Sequence, residues 1–150
     1  MSTATAQLTA PDGHRLEAFV AQPDGTPRGG LLVLQEIFGV NAHIREVAAG
    51  FAAEGFLAVA PAMFDRVESG LTLDYSEFTR ARETMAQLQR EQCVADMAAA
   101  TEFAGQAGRV GIVGYCWGGA MADLPACHGL VQAGVSYYGR MTVEWLDLKP

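Results

Sequence analysis

The chain predicts an α/β protein: a mostly parallel sheet with helices on both faces, preceded by an N-terminal β-hairpin. Three observations carry this. Short, wholly apolar runs recur at Gly30 to Leu34, Phe56 to Ala60 and Val110 to Val113. Runs of that length without polar alternation are what strands covered on both faces look like. Between them lie longer segments with apolar residues at helical spacing, and such alternation of strand and helix builds a parallel sheet. The last run then leads straight into Gly114-Tyr115-Cys116-Trp117-Gly118-Gly119, a strand-to-helix turn with cysteine at its apex.

Taken in order, Ala4 to Leu8 and Arg15 to Gln22 read as strands joined by the turn signal Pro11-Asp12-Gly13. Leu16, Ala18 and Val20 alternate with Glu17 and Phe19, as in a half-buried antiparallel edge. Asn41 caps a helix through about Glu54, with Ile44, Val47, Ala48 and Phe51 on one face and Gly55 as its stop. Phe56 to Ala60 is the next buried strand, closed by Pro61. Ala62 to Leu73 shows no regular pattern and is expected to form a surface loop. A helical region follows from Ser76 to about Ala107, bent or broken near Glu91, burying Met85, Leu88, Val94, Met97 and Phe103. A helix from Gly118, distorted or ended by Pro125, precedes a final strand at Ala133 to Tyr138. With no repeat or linker, residues 1–150 form a single domain.

Half of the 150 residues are hydrophobic, which supports one real core. The net charge of −7 argues against nucleic acid or an anionic membrane as partner. Met1 to Gly13 lacks the pattern of a signal peptide, and no apolar run approaches the roughly 20 residues that span a bilayer. Three cysteines without paired spacing fit a reducing, cytoplasmic compartment, and no His/Cys cluster points to a metal.

The chemistry concentrates at two strand ends. A cysteine between Gly114 and Gly118 matches the thiol form of the nucleophile elbow. The turn is so tight that a Cβ at either flanking position would collide with a neighbouring strand or helix. It places the Cys116 sulfur at a helix N-terminus, where the dipole favours the attacking thiolate. Gln35-Glu36-Ile37-Phe38-Gly39-Val40-Asn41 follows another buried strand, at the sheet end where open α/β sheets place their sites. The backbone N–H groups of Ile37 and Trp117 are candidate oxyanion donors. Glu36, straight after Leu31-Leu32-Val33-Leu34, reads either as a site carboxylate or as an ordinary strand-end polar residue. Phe38, Trp117, Tyr137 and Tyr138 are candidate pocket walls, with strand packing the plainer reading. Cys93 and Cys127 sit in apolar helical contexts and read as packing residues. His14 reads as a surface residue, and His43, at the start of the helix after the Glu36 loop and close to the site, as a capping or surface residue.

These pieces together resemble the dienelactone hydrolase (carboxymethylenebutenolidase) family, the thiol branch of the α/β-hydrolase fold. The resemblance rests on the 35–41 motif, on Gly55-Phe56 with Ala60-Pro61, on the 111–119 motif and on Val135-Ser136-Tyr137-Tyr138-Gly139. It implies hydrolysis of an enol-lactone, dienelactone to maleylacetate, without a metal or organic cofactor and, in the intact family, by a monomer. It implies Cys116 as nucleophile and Glu36 as the carboxylate that interacts with the thiol. It also implies an arginine holding the substrate carboxylate, matched by Arg82 or Arg80, with Arg82 preferred because a glutamate follows it.

One departure stands beside the match. The family's triad adds an Asp and a His after the next strand, which would begin near Leu146-Asp147-Leu148-Lys149-Pro150, and neither has a matching position. The expected fold is therefore an apparently truncated α/β-hydrolase fold. Asp123 and His128 are poor substitutes, being set well along the helix after Cys116. The alternative is a truncated homologue or fragment that binds a ligand or partner without turnover, its last strand edge open to pairing with another chain. A redox-sensing thiol is a third, weaker reading, since no resolving cysteine is well placed.

Overall fold

A computed structural model describes residues 1–139. Strands β1 (Ser2–Thr9) and β2 (Arg15–Gln22) form the expected hairpin, in register from Ser2 opposite Gln22 to Thr9 opposite Arg15. Then follow β3 (Gly30–Leu34), α1 (Ala42–Ala53), β4 (Leu57–Pro61), α2 (Phe78–Met85), α3 (Arg90–Ala104), β5 (Val110–Tyr115), α4 (Trp117–Cys127) and β6 (Ala133–Tyr137). The sheet order is β1-β2-β4-β3-β5-β6, with β4, β3, β5 and β6 parallel and the hairpin antiparallel. This is the mostly parallel sheet that the apolar runs predict.

The two-residue period of the strands divides the core in two. Leu32 and Leu34 of β3 face Met97 of α3 and Met121 and Leu124 of α4, whereas Val33 between them joins Ile44, Ala48 and Ala52 of α1 on the opposite face. The Asn41 side chain accepts from the Ile44 N–H at 3.1 Å, the N-cap read from the sequence.

The structure departs from the sequence reading in three places. The predicted surface loop at 62–73 contains a 3-10 turn, Met63–Arg66, whose Met63 and Phe64 are buried against the core. Its later part is tied down by the Leu73 N–H, which donates to the Phe38 carbonyl at 2.9 Å. The long helical region breaks near Glu91 as expected, at residues 86–89, but of its predicted buried residues only Met97 is fully enclosed. His14, expected at the surface, is half-buried.

The split helix exposes a feature that periodicity does not show. Asp96 of α3 is fully buried and takes a bidentate pair of hydrogen bonds from Arg66, at 2.7 and 2.9 Å. Arg66 also reaches Asp12 in the hairpin turn at 2.7 Å. Burial pushes the Asp96 carboxyl up, and the paired guanidinium opposes it. One guanidinium thus ties the hairpin, the post-β4 turn and α3 together. The segment Leu146 to Pro150, where a next strand is expected to begin, lies outside the described residues.

Candidate active site

β5 ends at Tyr115, and Cys116 occupies the position ahead of α4 with φ 55° and ψ −117°. Left-handed backbone at a residue with a side chain is a strained state that the surrounding structure must enforce. Here the enforcement is steric. A Cβ on Gly114 would lie 1.9 Å from the Gly118 carbonyl oxygen, and one on Gly118 would lie 2.3 Å from that of Gln35. The first glycine lets α4 fold back against its own strand; the second lets α4 press onto the end of β3. The Cys116 N–H donates to the Tyr137 carbonyl at 3.0 Å, which fixes the turn to the end of β6 as well.

Gln35, fully buried, organises the neighbouring strand end. Its Oε1 accepts from the Met63 N–H at 3.2 Å and its Nε2 donates to the Glu36 carbonyl at 3.2 Å, so β3 and the turn after β4 are held together. Glu36, Ile37 and Phe38 therefore leave the sheet beside the head of α4. Ile37, Phe38 and Trp117 are buried, and the Trp117 ring lies 6.1 Å from Phe64. Trp117 opens α4, where backbone N–H groups have no partner within the helix.

The Glu36 carboxylate accepts a hydrogen bond from Tyr138 Oη at 3.1 Å. Burial and this carboxylate push the Tyr138 phenol up to about 12. Rapid alkaline titration should show a late phenolate step near pH 12 that Tyr138→Phe removes; an unchanged titration would contradict this assignment.

Tyr137 stacks on Tyr115 with ring centroids 5.2 Å apart, and both belong to the rim beside Cys116. The His43 ring lies 6.4 Å from that of Tyr115. His128 is exposed at the far end of α4, and Asp123 is seven residues past Cys116, about 10 Å along the helix. Neither is brought to the thiol by α4 itself.

The two arginines lie on α2. Arg80 is engaged by Glu68 at 3.2 Å and Glu77 at 3.4 Å, at exposed positions. Arg82 makes no ion pair among the described residues and lines an open groove of about 360 Å³ with Phe78 and Met85. The Phe78 ring also lies 6.5 Å from Phe38, so the groove begins beside the 36–38 loop.

Cys93 is buried on α3, and burial, reinforced by the Asp96 charge, pushes its thiol up to about 12. A thiol held protonated is a poor nucleophile. Iodoacetamide at neutral pH should therefore leave Cys93 unmodified until the protein unfolds, as peptide mapping would show.

The model of the Dienelactone hydrolase family matches residues 16–149. The chain belongs to the dienelactone hydrolase family. It is 38% identical over 147 residues to a carboxymethylenebutenolidase of Pseudomonas putida, covering 93% of this chain and 62% of that protein. A solved Klebsiella pneumoniae structure is 31% identical with a TM-score of 0.77, covering 93% of this chain and 61% of that one. An esterase of Pyrococcus furiosus, 14% identical, shares the fold with a TM-score of 0.68 over 95% of this chain and 53% of its own. The chain thus spans about three-fifths of the length of its curated dienelactone hydrolase relatives. The fold is the α/β-hydrolase fold, and among the described residues no helix is long and apolar enough to cross a membrane.

Proposed function

We propose that this dienelactone hydrolase family member is a cysteine-dependent hydrolase of enol-lactones and esters, of the dienelactone to maleylacetate type, working in the cytoplasm on a small-molecule substrate. The observation that carries this reading is the left-handed Cys116 between two glycines whose Cβ positions are already filled by backbone. Such geometry lifts one side chain clear of the sheet at the head of a helix, as a nucleophile elbow requires.

In the reaction the Cys116 sulfur attacks the lactone carbonyl carbon. The amides of Ile37 and Trp117 stabilise the tetrahedral oxyanion, the ring C–O bond breaks, and the enolate leaves as an acyl-thioester forms. Water then cleaves the thioester to carboxylate and free thiol. Glu36 restrains or generates the thiolate, Phe38 and Tyr137 line the pocket, and Arg82 orients an anionic substrate, with Arg80 as the alternative. The pairing of Arg80 with Glu68 and Glu77 favours Arg82.

The test is release of acid from an enol-lactone by the native chain and by Cys116→Ala. Loss of product in the variant supports the reading, and equal turnover by both contradicts it. Arg82→Ala should raise KM for an anionic lactone about 10-fold, as expected for a charged hydrogen bond, while leaving a neutral ester unaffected. Equal loss on both substrates would count against an orienting role.

The alternative is a homologue that binds a ligand or partner without turnover. Enol-lactone binding without product release would support that reading.

A further inference from the structure

The two residues of the described chain that carry a side chain in the left-handed region are Cys116 (φ 55°) and Tyr138 (φ 39°). Both lie at the head of α4. The Cys116 N–H bonds to the carbonyl of Tyr137, one residue before Tyr138. A Cβ on Gly119 would meet that same carbonyl at 2.6 Å and the Gly139 Cα at 3.1 Å, so the bend after β6 is packed directly on the first turn of α4. On the other flank, Gly118 is packed with equal closeness on the end of β3, from which Glu36 projects. The head of α4 is therefore wedged between the segment carrying Glu36 and the segment carrying Tyr138. The Tyr138–Glu36 hydrogen bond closes the two segments over it, joining residues 102 apart in sequence.

We propose that Tyr138 is a positioning residue that, through this hydrogen bond, fixes the Glu36 carboxylate in place relative to the Cys116 thiol. The proposal rests on Cys116 being the nucleophile. A long-range bond from a side chain 63% exposed does little for packing, and ordinary strand ends need no left-handed tyrosine. Its effect is local. A Glu side chain has three torsions and would otherwise sample several rotamers at a half-buried rim. The phenol O–H also offers its positive end to the carboxylate, moderating the field that a negative Glu36 exerts on a forming thiolate. The titratable groups around the phenol are Glu36 from the end of β3, Cys116, and Tyr115 on β5, and His43 of α1 lies against Tyr115.

The test is a double-mutant cycle read at the thiol. Alkylation of Cys116 by iodoacetamide is followed by peptide mass against pH in the native chain, Tyr138→Phe, Glu36→Gln and the double variant, with thermal unfolding as a check on the fold. Tyr138→Phe is expected to raise the pH midpoint of alkylation and slow the reaction several-fold near neutrality, leaving thermal unfolding unchanged. In the Glu36→Gln background the same substitution should have no effect, because the carboxylate it acts through is gone. An unchanged profile for Tyr138→Phe, or an equal change in both backgrounds, would overturn the positioning role while leaving the nucleophile intact. A Cys116 that resists alkylation in the native chain would instead overturn the nucleophile reading, and this proposal with it.

Discussion

Replacing Asp96 with Ala is expected to lower the unfolding free energy by about 3–5 kcal/mol. The reason is asymmetry. The Asp96 side chain is fully buried and that of Arg66 is 9% exposed, so removing the carboxylate leaves a guanidinium in a low-dielectric site with Asp12 as its remaining carboxylate. Losing the pair as a pair is different. Arg66→Met with Asp96→Leu removes both charges and both desolvation costs, and should recover most of the lost stability. Urea unfolding of the single and double variants measures both; a double variant no more stable than Asp96→Ala would show that the ion pair itself, and not the unpaired charge, sets the energy.

Gly114→Ala is the second large effect, and it separates the elbow from the rest of the strand. Its new methyl would stand 1.9 Å from a backbone carbonyl oxygen, which no rotamer change relieves. Either α4 moves off β5 or the strand end unravels, at about 4 kcal/mol or more. Acyl transfer to Cys116 should disappear even where the protein still folds, because the thiol is no longer presented. Gly111→Ala, three residues earlier on the same strand, is the matched control. There the methyl would meet the Leu31 side-chain terminus at 3.4 Å, a contact that a small shift accommodates. Its stability should change by no more than about 1 kcal/mol, with acylation retained. Equal behaviour of the two variants would mean that the elbow is not sterically enforced.

The strands and the elbow were legible because their signals are local. An apolar run such as Leu31-Leu32-Val33-Leu34 is buried on both faces whatever its neighbours are, and glycines around Cys116 report a close approach without naming the partner. The capping role of Asn41 is likewise written within three residues. Arg66 and Asp96 were not legible, since nothing within a turn of either marks a bidentate partner 30 residues away. The burial of Met63 and Phe64 is illegible for a similar reason: a short 3-10 turn has no period to detect, and its anchor, the Gln35 side chain, lies at the end of another strand. Tyr138 reads from sequence as a candidate pocket wall, but its bond to Glu36 depends on β5 and β6 pairing in register, Gly114 opposite Ser136 and Tyr115 opposite Tyr137. The sequence prefers Arg82 to Arg80 only through the glutamate that follows it, and no local pattern marks the pairing of Arg80 with Glu68 and Glu77.

The most direct test of the central claim is the intact mass of the chain after brief exposure to an activated ester, with Cys116→Ala alongside. A built elbow and oxyanion hole predict a single acyl adduct on the native chain, mapped to Cys116 and absent from the variant. No adduct, or labelling spread equally over Cys93 and Cys127, would contradict it: the thiol would then be present in sequence but not presented for acyl transfer by these residues.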